Sequence, residues 1–329
     1  MTMDERSPRI EIGLHAAVVA VEERTPLVLI NSPEGNEAAL PALPFGPFDP
    51  DQNPTMEAGL RRWVGEQTLL PLGYVEQLYT FGDRRRMRAE GGGRTHLVSV
   101  GYLALVRKKS GNQGQNWTSW YAHFPWEDWR EGEPSMLREV ILPALRRWID
   151  ATGENSALKA ARSGRVQLAF GCELHHNKEV DLKNWDEERV LERYELAYEA
   201  ALVQESVADG HSDTLALPTA LGRAMLHDHR RILATAMARL RGKLKYRPVV
   251  FELLAEQFTL TELQQTVEAL SGRRLHKQNF RRMVDKAGLV EATGATTSRT
   301  GGRPAAYFRF RRSVTRERPV PGLRVGSSI

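Results

Sequence analysis

The hydrophobic rhythm of the chain changes twice. Residues 10–21 and 27–30 carry close-set Val, Ile and Ala on either side of a polar break at 22–26. That is the pattern of two strands joined by a short turn. A Pro- and Gly-rich loop, 41–54, follows. In 55–68, Met56, Leu60 and Val64 recur at four-residue spacing and predict a helix with one apolar face. Residues 74–81 and 96–107 are β-prone, and 116–124, with Trp117, Trp120, Tyr121 and Phe124, predicts a further strand. Between the middle pair, 82–94 is a loop holding five arginines and four glycines.

From about residue 126 the rhythm turns helical. Leu137, Ile141, Leu145 and Trp148 predict a helix over 135–150, kinked at Pro143. Residues 165–170 read as a strand, and 187–205 as a helix with Leu191, Tyr194 and Tyr198 on one face. A polar connector, 208–219, leads to a long amphipathic helix over 222–245, striped by Met225, Ile232, Ala236 and Leu240. It ends in the basic heptad 241–247, read as a hinge, before Pro248 opens a new helix.

The last part repeats a short helical rhythm and then alternates. Residues 248–256 form a first helix. Thr259 and Glu262 make a capping box that opens a second, reaching Leu270. A third spans 276–287, with Phe280, Met283 and Val284 inward. A strand starts at Leu289-Val290, a Gly/Thr/Ser turn fills 293–302, and 305–312 returns as a strand. Three helices and a β-hairpin define a winged helix-turn-helix, whose third helix enters the major groove. Asn279 and Arg281 are placed to read base edges, with Lys277 and Arg282 beside them. Arg299 and Arg303 at the wing tip would meet phosphate or the minor groove, and Thr259 and Thr261 are counted as DNA-facing.

Charge sharpens this picture. The net charge of +5 is divided unevenly: from Arg247 onward there are 15 Lys and Arg against 7 Asp and Glu, and before it 31 against 34. A basic segment on a slightly acidic protein is the footprint of nucleic-acid binding. At 329 residues the chain predicts two or three domains. No apolar run reaches the length of a membrane span, residues 1–9 lack the apolar core of a signal peptide, and the single cysteine, Cys172, excludes an internal disulfide. These features point to the cytoplasm.

The N-terminal order of strand, loop, helix, strand, arginine loop and strand resembles a Nudix fold. The family signature matches 62–69, Arg-Trp-Val-Gly-Glu-Gln-Thr-Leu, in its arginine, its aliphatic residue and one glutamate. Trp63 and Gln67 stand where metal-binding glutamates belong, Pro54 where the upstream glutamate does, and Leu69 where the glycine does. Magnesium needs several hard oxygen ligands, so the resemblance implies a retained scaffold without diphosphate hydrolysis, unless Glu57 or Glu90 rebuilds the site. No catalytic residue, metal or required cofactor is assigned.

A Nudix-like domain followed by this winged helix resembles the Nudix-related transcriptional regulators of NAD metabolism, the NrtR and NadQ type. The matching stretches are Tyr79-Thr80-Phe81-Gly82-Asp83, Ser99-Val100-Gly101-Tyr102, Leu240-Arg241-Gly242-Lys243-Leu244, Phe258-Thr259-Leu260-Thr261-Glu262-Leu263, Asn279-Phe280-Arg281-Arg282 and Gly301-Gly302-Arg303-Pro304. The resemblance implies an α+β protein: a Nudix-like α/β/α sandwich with a mixed sheet over 1–130, a mainly helical insert at 131–221, a linker helix at 222–245, a winged helix-turn-helix at 246–315 and a basic tail at 316–329. It further implies a homodimeric repressor of NAD synthesis or salvage genes on palindromic double-stranded DNA, with ADP-ribose, NAD or ATP as effector. Guanidinium groups suit a diphosphate, and the loop's Arg84, Arg85, Arg86, Arg88 and Arg94 supply them. The resemblance favours Arg86, Arg88 and Arg94, which align with the family's loop arginines, with Arg62, Glu66, Phe81 and Tyr102 around them. Two other readings stay open: an active Nudix hydrolase with a DNA-binding appendage, and a winged helix used for protein contact.

Three weaker signals complete the reading. Cys172, Glu173, His175, His176 and Glu179 match no common zinc spacing. His227 and His229, flanking Asp228, are expected on a solvated helix face. Trp117, Trp120, Trp126 and Trp129 predict core or an interface.

Overall fold

The computed structural model describes residues 9–31, 40–82, 95–108, 115–174, 180–210, 221–297 and 304–313. Its first layer is a mixed sheet. Strand β1 (Arg9–Glu22) pairs with β2 (Thr25–Leu29) and β3 (Phe45–Pro47), both antiparallel. Helix α1 (Met56–Thr68) precedes β4 (Tyr74–Phe81) and β5 (Thr95–Leu105). Strand β5 runs parallel to β1, from Arg9 opposite Thr95 to Val19 opposite Leu105, and β6 (Trp117–Ser119) closes the far edge. The order is β4-β5-β1-β2-β6, with β3 on β1.

Strand β1 has no accessible surface at Leu14 or from Ala16 to Ala20, so both faces are covered. This explains its unbroken apolar run. Leu14, Ala16 and Val18 pack with Leu60 and Val64 of α1, while Ala17 and Val19 join a second cluster on the other face.

The middle of the chain builds α2 (Trp120–His123), α3 (Leu142–Asp150), α4 (Ser156–Phe170), α5 (Val190–Glu199) and α6 (Gln204–Ala208). Several expectations are corrected here. The stretch 165–170 is helical: Val166, Ala169 and Phe170 bury one side of α4, and Asn155 caps it. The aromatic run 116–124 leaves the sheet after Ser119, whose hydroxyl accepts from the Tyr121 amide and starts α2. Residues 187–205 split into α5 and α6, with Ala201 at φ 56 between them. At Pro143 the chain forms a π-helical turn, Leu137–Ile141, directly before α3, a register change that accommodates the missing proline N–H.

Helix α7 (His229–Tyr246) starts later than 222, because Gly222 and His227 both take left-handed conformations. Gly222 sits against the His123 carbonyl with no room for a Cβ. Helix α7 lies on the sheet face opposite α1 and completes the sandwich. Its Ile232 rests on Gly101, where a Cβ would come within 3.0 Å of the Ile232 methyl. We expect Gly101→Val to push α7 off the sheet and destabilise the fold by about 1–3 kcal/mol, measurable as a lower urea midpoint.

The winged helix follows: a short 3-10 turn, Val249–Leu253, then β7 (Phe258–Thr259), α8 (Leu260–Ser271), α9 (Lys277–Ala287), β8 (Val290–Thr297) and β9 (Ala305–Phe310). The sheet order is β7-β9-β8. The basic heptad is no hinge. Helix α7 runs through it without a break, and Arg241 is buried at 1% exposure. Its guanidinium donates to the Glu127 carboxylate at 2.7 Å and to the Leu270 carbonyl of α8 at 3.0 Å. Arg193 of α5 grips the same carboxylate with two bonds, 2.6 and 2.8 Å. Burial alone would raise the Glu127 carboxyl, but the two guanidiniums outweigh it and hold it below the usual range. No helix among the described residues is long and apolar enough to cross a membrane.

Candidate functional site

Helix α1 is capped by Thr55, which accepts from the Ala58 amide at 3.1 Å, and it ends at Leu69 in the left-handed region, φ 57. Its inner face is spent on Leu60 and Val64. On the β3 side, the Trp63 indole N–H donates to the Pro47 carbonyl at 2.8 Å, and the ring covers Gly46 so closely that no Cβ would fit there. Gln67 donates to the Phe45 carbonyl at 2.8 Å and accepts from Asn31 at 2.8 Å. Positions 63 and 67 therefore act as donors that hold β3, a role an ionised carboxylate cannot take. Glu66 pairs with Arg62 at 2.8 Å, Arg62 also donates to Gln52, and Glu57 pairs with Arg61.

Arg62 and Glu66 are thus together and exposed, but Phe81 and Tyr102 are not beside them on one wall. Phe81 is 1% exposed in the α7-side core, under the Arg231 guanidinium. Tyr102 is packed in the α1-side core with its hydroxyl reaching Gln77 at 3.3 Å. The two rings lie on opposite faces of the sheet. Arg84, Arg85, Arg86, Arg88, Arg94 and Glu90 fall outside the described residues, as do His175, His176, Glu179, Arg299 and Arg303. Cys172 is buried, which raises its thiol to about 11. Among the described residues no three His, Cys, Asp or Glu side chains group to hold a metal.

Sequence reasoning missed a buried histidine pair. His229 has no accessible surface and Asp228 only 3%, so the expected solvated face is corrected. The Leu43 amide, which can only donate, lies 2.9 Å from His229 Nδ1. That nitrogen must carry the lone pair, and Nε2–H then points at His15 Nδ1, 3.0 Å away. His15 in turn has its proton on Nε2, 2.8 Å from Ser99 Oγ. Phe45 stacks on the His15 ring at 5.6 Å and meets His229 edge-on at 5.2 Å. A signal was available: His229 extends the stripe of Ile232, Ala236 and Leu240 back by one turn.

Only one arrangement of protons satisfies this chain, and an added proton would face another N–H. Burial, with His227 nearby, lowers His15 to about 3, and His229 lies well below its ordinary value. His123 falls to about 4, again through burial, against the raising effect of its bond to the Arg223 carbonyl. These folded values lie below the unfolded value of 6.5, so the unfolded chain takes up more protons in acid. Stability should be level above pH 7 and fall as pH drops from 6.5 towards 4. By pH 5 His15 and His123 should each cost about 2 kcal/mol, with His229 adding in the same direction. Urea midpoints at pH 7, 6 and 5 check this, and equal midpoints would rule it out.

At the winged-helix end, Thr259 is committed to the fold. Its hydroxyl accepts from the Glu262 amide at 3.2 Å, and Glu262 reaches back to the Thr259 amide at 2.7 Å. Thr261 is exposed. In α9, Phe280 and Val284 bury against the core while Lys277, Gln278, Asn279, Arg281 and Arg282 are exposed. None of these five side chains has a hydrogen bond or ion pair to another described residue. The middle segment grips the turn before α9: Trp129 N donates to Gly272 O at 2.8 Å, Arg273 to Trp185 O at 2.7 Å and Arg274 to Glu131 at 2.6 Å.

The molecule thus joins a Nudix-like sandwich to a winged helix whose α9 presents an exposed cationic face. Residues 250–310 match the NrtR DNA-binding winged helix domain. Among curated relatives, the chain is similar to the ADPR responsive transcriptional repressor NtrR of Acinetobacter baylyi, at 39% identity over 100 residues. The match covers 30% of this chain and 40% of that protein. Two solved structures share the fold. NrtR of Shewanella oneidensis aligns at a TM-score of 0.50 and 20% identity, over 92% of this chain and 94% of that one. A MutT/nudix family protein from Enterococcus faecalis aligns at 0.50 and 16%, over 93% and 89%.

Proposed function

We propose that this protein is a DNA-binding transcriptional regulator, a repressor of genes for NAD synthesis or salvage, controlled by ADP-ribose or a related adenine nucleotide at its Nudix-like domain. The observation that carries the reading is the exposed, unpartnered face of α9 on an NrtR-type winged helix. In this reading Asn279 and Arg281 meet base edges, and Lys277, Arg282, Thr261, Arg299 and Arg303 meet the backbone or minor groove. The effector class comes from the relative described as ADPR responsive. A homodimer on a palindromic operator follows from the need to place two recognition helices about one DNA turn apart.

We infer further that diphosphate hydrolysis is absent. Magnesium does not fit the signature positions: Trp63 and Gln67 donate to β3, and Glu66 is paired with Arg62. Arg86, Arg88 and Arg94 then serve to bind the diphosphate rather than to cleave it.

The test is fluorescence anisotropy with DNA from upstream of the organism's NAD-synthesis genes, against random DNA, with and without ADP-ribose. Specific binding that shifts with ADP-ribose is the expected result. Metal-dependent AMP release abolished by Glu66→Gln would favour the hydrolase, and equal affinity for both DNAs would favour a protein-binding scaffold.

A further inference from the structure

We propose that the relay Leu43–His229–His15–Ser99 is the joint through which occupancy of the Nudix-like site changes the set of α7, and with it the winged helix. The inference rests on the effector-controlled reading above and names the positioning residues that carry the control.

Four observations support it. First, the relay joins parts of the chain far apart in sequence: the loop before β3, β1, β5 and the first turn of α7. Second, it is a fully buried polar chain set where Ala17, Val19, Leu103 and Ile232 pack, whereas the ion pairs of α7 with the sheet, Lys243 and Arg239 to Glu76, lie at the partly exposed β4 edge. A buried polar chain with a single proton arrangement fixes position more sharply than apolar contact does. Third, its outer end is open to the site. Phe45, stacked on His15, is 40% exposed, and its carbonyl is held by Gln67 of the Nudix helix. Fourth, its inner end leads to the DNA-reading unit, because α7 carries Arg241 to the Leu270 carbonyl of α8. If a ligand moves β3, the Leu43 amide leaves His229 Nδ1. The buried imidazole must then turn or shift, and α7 moves with it.

Glutamine can reproduce the role of His229, with its carbonyl accepting from Leu43 and its amide donating to His15. Leucine cannot. The experiment measures operator-DNA affinity of the full chain with and without ADP-ribose, and ADP-ribose binding by calorimetry, for wild type, His229→Gln and His229→Leu. Wild type should change its DNA affinity by about 5-fold or more on adding ADP-ribose. His229→Leu should still bind ADP-ribose and DNA but respond by less than about 2-fold, while His229→Gln recovers most of the response. A full response in His229→Leu overturns the relay. A wild type that does not bind ADP-ribose overturns the effector reading instead, and the relay falls with it. If His229→Leu does not fold, imidazole nitrogen shifts in the wild type decide. ADP-ribose should move the His15 and His229 signals, and unchanged signals overturn the proposal.

Discussion

Replacing Glu127 with glutamine is expected to cost about 3–5 kcal/mol of stability, the range for breaking a buried ion pair from one side. Glu127 and both its arginine partners, Arg193 and Arg241, have side chains with no accessible surface. The carboxylate neutralises one of the two cations, and its loss leaves two guanidiniums in the core with no counter-charge against them. Their remaining bonds are to neutral groups: the Ala169 and Asp186 carbonyls for Arg193, and the Leu270, Glu187 and Glu127 carbonyls and the Tyr121 hydroxyl for Arg241. A loss of that size is a large share of the roughly 5–15 kcal/mol that separates folded from unfolded chains. Chemical denaturation of the variant checks the prediction. The exposed pair Arg62–Glu66 is the control, since Glu66→Gln should cost less than about 1 kcal/mol. Equal costs for the two would refute the argument. Replacing the three buried residues together with apolar side chains of similar volume should recover much of the loss.

The second large effect is expected at the recognition helix. Arg281→Ala should weaken operator binding by about 1–3 kcal/mol, some 5- to 150-fold, and relax the preference at one base pair. Arg282→Ala should weaken operator and random DNA alike and lower the salt slope by about one ion. Neither arginine has a partner among the described residues, and both are exposed, so melting temperatures should barely change. Titrations at two salt concentrations separate these outcomes. An Arg281→Ala protein with unchanged operator affinity would remove α9 from the interface.

The winged helix was legible because its signals are local. Thr259 and Glu262 cap α8 within one turn, Phe280 and Val284 face inward by spacing, and Gly272 ends α8 with φ +73. The strands of the sandwich were legible for the same reason, since β1 and β5 are rich in Val, Leu, Ile and Ala. The middle segment was harder. Its helices bury short, irregular faces, so 165–170 carried the alternation of a strand while the chain made a helix there. His229 shows the limit more sharply. The stripe through Ile232 marks it as inward-facing, but its partner His15 lies 214 residues away, so the bond between them follows only from the fold. Trp63 and Gln67 were visible as departures from a signature. That they bond to β3 follows only from the fold.

Helix α7 belongs at once to the sandwich and to the support of the winged helix, and a single apolar cluster runs from β1 and β5 through α7 to Leu263 and Phe280. Such a molecule has no seam. A fragment cut at residue 248 would expose the side of α8 that rests on the middle segment, together with the unpaired Leu270 carbonyl that Arg241 now meets. Moving this winged helix to another domain would therefore require carrying α7 and the 119–129 segment along with it. Substitutions are correspondingly best tolerated on the outer face of α9, where side chains can change without disturbing the joint core.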